Sequence, residues 1–144
     1  MQNNPGRLIS ILYRKAQVYW TQSLKEYHIT SAEYPILLRL YAREGVTQEE
    51  IVAELEMDKS AIARALQSLI DKGFVEKQKD EQDRRCNRIY LTEKGHGVRQ
   101  VIEEAKQKWN EILMKNMTEE EQREMIRLLG QSVKNLKREW ENDE

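Results

Sequence analysis

Apolar residues recur every three to five positions along most of this chain, which predicts a protein built mainly from α-helices. The first stripe predicts a helix from Arg7 to Glu26, with Pro5 and Gly6 before it as a breaker. Thr30 or Ser31 can cap a second helix, which stops at Gly45. The apolar positions of the two helices are Leu8, Ile11, Leu12, Tyr19 and Leu24, then Ile36, Leu37, Leu40 and Tyr41.

Two short helices joined by a turn are predicted between Thr47 and Gly73. Thr47 and Glu50 can form a capping box, in which each side chain accepts a hydrogen bond from the other residue's backbone N–H. Asp58 can cap the second helix of the pair, and Gly73 ends it. The inward positions are Ile51, Val52 and Leu55, then Ile62, Leu66, Leu69 and Ile70.

A β-hairpin is predicted next. Phe74–Val75 and Ile89–Leu91 are rich in β-forming residues and flank the polar run from Lys77 to Arg88. A helix pair followed by a basic hairpin is typical of a winged helix-turn-helix with a two-stranded wing. This arrangement puts one helix in the major groove of DNA and lets a hairpin arginine reach the minor groove.

Two longer helices are predicted at the end of the chain. Thr92 can cap the first, which extends to Asn116, and Thr118 with Glu121 forms a second capping box. Their apolar stripes, together with that of the first helix, exceed what a small helix-turn-helix core can cover. We therefore expect them to pack on each other and on a second copy, and a homodimer also suits a palindromic DNA site. The stripes are Val98, Val101, Ile102, Ala105, Trp109, Ile112 and Leu113, then Met125, Leu128, Leu129, Val133, Leu136 and Trp140.

Composition narrows the class of protein. The 144 residues suit one domain or one compact subunit, and no apolar run approaches the roughly 20 residues that span a bilayer. No signal peptide is visible, and Cys86 is the only cysteine, so we expect a cytoplasmic protein without a disulfide or membrane segment. The net charge is −1, but residues 58–99 hold ten basic residues against seven acidic ones. A locally basic face on a neutral protein is typical of a DNA reader that makes a few phosphate contacts.

The hairpin and the helix before it resemble the MarR (multiple antibiotic resistance regulator) family of bacterial transcription factors. The match consists of Asp83-x-Arg85, Ile89-x-Leu91-Thr92 and Gly95, with Met57–Ile62 and Leu69–Val75 upstream. The resemblance covers nearly the whole chain in element order. It implies a mainly α subunit with a winged helix-turn-helix lobe at 30–92 and dimerisation helices at 7–29 and 93–144. It also implies a homodimeric regulator of a palindromic operator, usually a repressor, that a small molecule or an oxidant often releases.

The predicted recognition helix runs from Lys59 to Lys72. If its apolar residues face the core, its short polar residues, an arginine and a glutamine face outward. Arginine can pair bidentately with guanine and glutamine with adenine, whereas residues at the helix start more often contact phosphate. The alternative is an ordinary solvated helix face. The candidate DNA-binding residues are Lys59, Ser60, Ala61, Ala63, Arg64 and Gln67.

Arginines at the wing tip are the second set of candidates. Arg85 is the candidate for minor-groove insertion, and the family pattern implies that Asp83 orients its guanidinium. Arg84 and Arg88 are expected beside phosphates. Two alternatives remain: an exposed turn whose charges neutralise one another, and a winged-helix module that binds another protein. A wing that binds another protein has no need of clustered cations, which argues against the second alternative.

Cys86 and the two histidines complete the candidate chemistry. Three neighbouring arginines would favour a Cys86 thiolate, which suggests an oxidant-sensing regulator as an alternative function. Oxidant-sensing members of the family carry their reactive cysteine near the N-terminal helix, however, so we treat Cys86 as a bystander. His28 and His96 lack a partner at ligand spacing, and no catalytic triad or phosphate loop is visible. We therefore expect no metal, no cofactor and no enzymatic activity.

Aromatic residues define a candidate ligand cleft. In the family, the elements that carry them border a cleft between the dimerisation helices and the DNA-binding lobe. Such a cleft would suit a small aromatic or anionic ligand, with Arg14, Lys15 or Arg39 as the anion partner. The alternative, which we favour, is that the rings form core and dimer interface. The rings are Tyr13, Tyr19, Trp20, Tyr34 and Trp109.

Overall fold

The computed structural model describes residues 4–142, with side chains as far as residue 139. The side chain of Trp140 and the last two residues of the predicted 93–144 region lie outside this part. Contacts divide the chain into one unit up to Trp109 and another from Asn110 onward. The helices are α1 Pro5–Ser23, a 3₁₀ helix Lys25–Tyr27, α2 Tyr34–Ala42, α3 Gln48–Leu55, α4 Lys59–Asp71, α5 Glu93–Gly97, α6 Arg99–Leu113 and α7 Glu119–Asn142. The strands are β1 Val46–Thr47, β2 Val75–Lys79 and β3 Asn87–Leu91, and the mainly α fold class is confirmed.

The sheet has three antiparallel strands in the order β1-β3-β2, so the prediction of two strands was incomplete. Ile89 of β3 lies opposite Val46 of β1 on one side and Lys77 of β2 on the other. Strand β1 has only two residues, which is too short to show an alternating pattern. Gly45 leads into it with a φ of 76°, and its N–H donates to the Ile89 carbonyl at 2.8 Å.

The wing strands are longer than their apolar residues predicted. Strand β2 extends through Lys79, and β3 begins at Asn87, within the run that the pattern assigned to a polar loop. Both extensions are exposed or half-buried. A two-stranded wing is held by backbone pairing, which does not require apolar side chains at these positions.

The predicted capping residues hold four helix starts in place. Thr47 and Glu50 form the capping box of α3, and Asp58 accepts the Ala61 N–H of α4 at 3.2 Å. The Thr92 hydroxyl accepts the Gly95 N–H at 3.1 Å. Thr118 and Glu121 exchange hydrogen bonds of 3.1 and 2.9 Å at the start of α7. Each contact satisfies an N–H that the helix itself leaves unpaired.

Two helix starts differ from the prediction. Pro5 lies in the first turn of α1, where its missing N–H costs nothing, and Asn4 caps the helix through the Gly6 N–H at 2.8 Å. The 30–31 cap of α2 was wrong. Glu33 holds the N-cap position, and its carboxylate accepts the Thr30 N–H at 2.8 Å instead of a helix N–H.

The long helix predicted from Thr92 to Asn116 is divided at Val98 into α5 and α6. The backbone N–H of Val98 donates to the His96 carbonyl, which ends α5 after five residues. Gly95 and Gly97 lie within this short helix, and glycine is a poor helix former. The two glycines therefore account for the break that the apolar stripe did not reveal.

The core of the first unit lies where α1, α2, α3, α4 and the sheet meet. Side chains that the patterns assigned to the inside of α2 and α4 are buried, whereas Val52, Leu55 and Ile70 are half-buried. Trp20 and Leu24 from the end of α1 join the same core. The buried members on α2, α3 and α4 are Ile36, Leu37, Leu40, Tyr41, Ile51, Ile62, Ala65, Leu66 and Leu69.

Large apolar side chains remain exposed in each unit. On α1 these include Leu8, Leu12 and Tyr13, the last with 64% of its surface exposed. On α7, Leu129 and Val133 are among the exposed members of the predicted stripe. None of the helices within residues 4–142 combines the length and the apolar character that crossing a membrane requires.

Substitution of Gly95 should destabilise the fold. A Cβ at this buried position would lie 2.2 Å from the Phe74 carbonyl oxygen and 3.1 Å from Leu91 Cδ2. Because the nearer atom belongs to the backbone, relief requires α5 to move, and we expect Gly95→Ala to cost about 1–3 kcal/mol of unfolding free energy. Gly97→Ala is the matched control, since a Cβ there meets nothing within 4 Å. Urea unfolding of both variants checks this, and equal stabilities would contradict the close approach.

Candidate nucleic-acid interface

Helices α3 and α4 form the helix-turn-helix. The turn between them includes Glu56, whose φ of 53° places it in the left-handed region and reverses the chain direction. Asp58 then starts α4 by capping it. Ile51 of α3 and Ile62 and Leu66 of α4 are fully buried. Burial of one face of α4 in this way fixes which residues form its opposite face.

The outer face of α4 carries the residues that the sequence assigned to DNA. Lys59, Ser60, Ala63, Arg64 and Gln67 are exposed. Within the described residues, the Arg64 guanidinium has no hydrogen-bond or ion-pair partner. An unpaired guanidinium on an exposed helix retains all five of its donors for a ligand. Ala61 differs, because it is half-buried and its N–H is held by the cap.

Gln67 already has an intramolecular partner. Its Nε2 donates to Asp71 Oδ1 at 2.9 Å, one turn further along α4. The amide oxygen and the second N–H of Nε2 therefore remain free for hydrogen bonding. In this rotamer Gln67 presents an acceptor, which suits the exocyclic amino group of adenine or cytosine.

The loop end of the wing is held by an arginine that the sequence assigned to phosphate contact. Arg88 Nε donates to Asp80 Oδ2 at 2.8 Å, and a second guanidinium nitrogen donates to the Gly45 carbonyl at 2.6 Å. Arg88 thus links β3 to the start of the hairpin loop and to the residue before β1. Backbone N–H donation from Gln82, then the Arg88 hydrogen bond, lowers the pKa of Asp80 below its ordinary value. Arg88 therefore has a structural role beside the hairpin loop.

The wing tip presents Arg85. Its side chain is 91% exposed, and its guanidinium donates to the two carboxylate oxygens of Asp83 at 3.1 and 3.3 Å. The Arg85 N–H also donates to Asp83 at 3.1 Å. These bonds from Arg85 lower the pKa of Asp83 and keep it ionised. The structure therefore contains the Asp83–Arg85 contact that the family pattern implied, and Arg84 is exposed beside it.

Cys86 has the opposite electrostatic environment from the one predicted. Partial burial, followed by the charge of Asp83 and a hydrogen bond to it, raises the pKa of the thiol. The thiol lies 3.7 Å from Asp83 Oδ2. Although three arginines are close in sequence, the nearest charged group is a carboxylate. The expectation of a favoured thiolate was wrong, and this removes the basis for oxidant sensing through Cys86.

Four of the five candidate aromatic rings pack against one another. The Trp20 ring stacks on Tyr34 at 3.8 Å between centroids, and Tyr19 contacts Trp109 at 5.0 Å and Trp20 at 5.6 Å. Tyr13 is close enough to Tyr34 to raise its pKa, although burial contributes more. Trp20 is buried in the core, and Tyr19 donates to the Ala105 carbonyl at 2.7 Å. Most of these rings therefore serve packing, and Tyr13 is the exposed member.

Arg39 is paired with residues outside the aromatic group. Its guanidinium pairs with Glu54 of α3 and donates to the Arg43 carbonyl at 3.2 Å. Both partners differ from the aromatic residues with which the sequence grouped it. Of the other two candidate cations, Arg14 donates to Ser10 at 2.6 Å, and Lys15 is exposed. Among the side chains that the structure describes, no three of His, Cys, Asp or Glu are placed to hold a metal ion.

Sequence reasoning missed the residues that hold the interface in place. Asp80 counted only as a charge to be neutralised, and Glu44 did not figure at all. Glu44 accepts the Leu91 N–H at 2.7 Å, which supports the end of β3. The position of Asp80 in the hairpin could have revealed its role, because the pairing of Lys79 with Asn87 puts Asp80 within reach of Arg88.

Comparison with known proteins gives consistent matches. The family model described as MarR family matches residues 28–85, which include α2–α4 and most of the wing. The crystal structure of a MarR transcriptional regulator from Methanosarcina mazei Go1 is 38% identical, with a TM-score of 0.83. The match covers 90% of this chain and 94% of that one.

Two further matches cover nearly the whole chain. The uncharacterized HTH-type transcriptional regulator YybA of Bacillus subtilis (strain 168) is 29% identical over 139 residues, 96% of this chain and 93% of its own length. A mutant MarR from E. coli, crystallised with operator DNA, is 28% identical with a TM-score of 0.79. That match covers 89% of this chain and 92% of the E. coli chain.

Arg64 should carry base discrimination. We expect Arg64→Ala to weaken binding to a preferred duplex by roughly 1–3 kcal/mol, because a bidentate contact with a base edge is lost. Arg64→Lys is the matched control, since it retains the charge but not the planar fork. It should therefore bind scrambled DNA normally and still lose preference. Fluorescence anisotropy with both duplexes measures this, and unchanged affinities for both would place Arg64 outside the groove.

Arg85 should contribute affinity through its charge. We expect Arg85→Ala to weaken duplex binding, because a guanidinium in the narrow minor groove gains from concentrated negative potential. The slope of log K against log salt should fall by about 0.9 if one phosphate-like contact is lost. Asp83→Ala should have a milder effect, since the cation remains. Arg7→Ala removes the same charge from α1, outside the winged lobe, and should leave the slope unchanged. An unaltered slope and affinity for Arg85→Ala would mean that the wing tip stands clear of DNA.

Proposed function

Because this chain belongs to the MarR family of transcriptional regulators, we propose that it is a homodimeric repressor of a palindromic operator. We further propose that a small-molecule ligand releases it. DNA-binding transcriptional regulation is the activity of the family; the homodimer, the direction of regulation and the ligand are the proposal. It depends above all on one observation: the unpaired Arg64 on the outer face of α4 accompanies an exposed, carboxylate-oriented Arg85 at the wing tip.

The outer face of α4 has the dimensions of a major-groove reader. Ser60 and Gln67 are seven residues apart, which corresponds to roughly 10 Å of helix. Successive base pairs are spaced by about 3.4 Å, so this face spans roughly three of them. Arg64 lies between these residues and supplies the donor pair that guanine accepts. One such helix reads a short half-site, and a regulator with two would read a palindrome.

The homodimer is supported by apolar surface. On α7, Ile126, Leu129, Val133 and Leu136 recur at intervals of three and four residues, and each is 43–62% exposed. Exposed residues at this spacing form a seam along one side of a helix, which is the pattern by which helices pair. On α1, Leu8 and Leu12 add exposed apolar surface. A second copy of the chain would cover these faces and would supply the second recognition helix.

Ligand release is supported by the aromatic group near the start of the winged lobe. Tyr13 is exposed at its edge, whereas Trp20 and Tyr34 are stacked beneath. A planar aromatic acid could stack on the exposed ring of Tyr13. Binding would alter a group of rings that joins α1, α2 and α6. The protein would act by occupying DNA, without catalysis.

The mass in solution tests the homodimer. Light scattering at micromolar concentration should give about twice the 17.2 kDa chain mass. Val133→Glu should lower that mass, because it places a charge in the apolar seam of α7. Lys134→Glu, at the next and also exposed position, is a control that should leave the mass unchanged. A monomer from the unmodified protein would contradict the proposed assembly.

Duplex binding tests the function itself. The unmodified protein should enrich a palindromic sequence from a randomised duplex pool and bind it more tightly than a scrambled duplex. Both affinities should fall with salt, since cation–phosphate contacts release counterions. Benzoate-type aromatic acids should then weaken the enriched complex. Absence of enrichment would refute sequence-specific regulation, and enrichment without an effect of the acids would remove only this ligand class.

A further inference from the structure

Glu33 is the one charged side chain that is buried in the described residues, with 1% of its surface exposed. Its carboxylate accepts two hydrogen bonds from Lys72 Nζ, at 2.8 and 3.0 Å. It also accepts the Thr30 N–H at 2.8 Å. Burial alone would raise the pKa of Glu33, but hydrogen bonds from Lys72, Ser68 and Thr30 outweigh it and lower the pKa. The carboxylate is therefore ionised at neutral pH.

Lys72 is fully occupied by this arrangement. Besides the two carboxylate contacts, its Nζ donates to the His28 carbonyl at 2.6 Å. An ammonium group has three N–H donors, and the three acceptor atoms here match that number. Lys72 follows α4 directly as its C-cap residue, within the basic segment of the chain. Despite that location, its charge is directed into the protein and not toward a ligand.

The same end of α4 is held from a second direction. Lys94 Nζ donates to the Lys72 carbonyl at 2.7 Å, and the Thr92 hydroxyl donates to the Gly73 carbonyl at 2.6 Å. Residues 28–33 lead into α2, and residues 92–94 form the cap and first turn of α5. The end of α4 is thus fixed between the segments that enter and leave the winged lobe. The Glu33–Lys72 pair is the ionic part of this attachment.

The orientation of α4 is important because base reading tolerates little error. Arg64 lies eight residues from Lys72, which is roughly 12 Å along the helix. A tilt of about 10° at the Lys72 end would displace Arg64 by roughly 2 Å, whereas preorganised contacts tolerate about 0.5 Å. Attraction to phosphates depends far less on geometry. A loosened α4 would therefore lose base discrimination before it lost general affinity for DNA.

We propose that Glu33 and Lys72 are a positioning pair that sets the angle of α4, so that operator discrimination depends on two residues that do not touch DNA. The inference rests on the proposed function, because it takes the outer face of α4 as the reading surface. Buried ion pairs are often replaceable by apolar residues without loss of stability. The contribution of this pair is therefore sought in specificity.

The experiment compares the duplex enriched by the unmodified protein with a scrambled duplex. The principal variant is Glu33→Leu/Lys72→Met, which removes both charges together and leaves no buried charge unpaired. We expect about a tenfold loss of affinity for the enriched duplex, an unchanged affinity for the scrambled one, and an unchanged salt slope. As a separate single variant, Lys72→Arg retains a cation that can reach Glu33 and His28, and it should keep the discrimination between the two duplexes.

Circular dichroism at the binding temperature checks that each variant is folded. Glu33→Gln keeps the shape of the side chain, and it decides the question if the double variant does not fold. It should lower the ratio of the two affinities in the same direction, by about threefold.

Three outcomes would overturn the proposal. An unchanged affinity ratio in the folded variants would make the pair a matter of stability only. A salt slope reduced by about 0.9 would make Lys72 a phosphate contact. If the unmodified protein enriches no duplex, the proposed function fails first, and this result is recorded before any variant is compared.

Discussion

The close approach of Gly95 to the Phe74 carbonyl is the constraint on which the winged lobe depends. At this point the end of α4, the start of β2 and the start of α5 meet, and a Cβ on residue 95 would lie 2.2 Å from a backbone oxygen. Thr92 reinforces the junction, because its N–H donates to the Phe74 carbonyl at 3.1 Å. The Tyr41 hydroxyl donates to the Gly95 carbonyl at 2.7 Å from the core side. Helix α4 and the wing are thus held at the same junction. Their relative position therefore does not depend on the exposed residues of either.

Acidic residues in this lobe organise cations and do not simply neutralise them. Asp80 holds Arg88 beside the start of the hairpin loop, Asp83 orients Arg85 at the tip, and Glu33 draws Lys72 inward. A count of charges in residues 58–99 treats all of these arginines and lysines alike. The contacts separate them into cations that hold the fold and cations that remain exposed. Net charge is therefore a poor guide to which residues could meet a phosphate, and a nearly neutral chain can still present exposed cations on one lobe.

The sequence predicted features that local chemistry decides. Caps such as Thr47 and Asp58 depend on neighbours within three residues, and the structure confirms them. The sequence did not predict β1, because its two residues form a strand only by pairing with β3. The break at Val98 follows the two glycines of α5, which the reading of the apolar stripe did not take into account. For the interface, the pattern located the outer face of α4 correctly, but it misjudged the environment of Cys86, since sequence neighbours are not always the nearest charges.

In this lobe, the residues that position α4 therefore differ from the residues that are proposed to contact DNA. A residue that is proposed to contact DNA, such as Arg64, is exposed and unpaired in the structure, and the ligand would complete its hydrogen bonds. A residue that places it must be satisfied beforehand, as Lys72 is by three acceptor atoms. Basic residues near a recognition helix therefore fall into two classes that composition cannot distinguish but burial and hydrogen bonding can. Substitution of the first class should change the salt dependence of binding, whereas substitution of the second should change the preference between sequences at constant salt dependence.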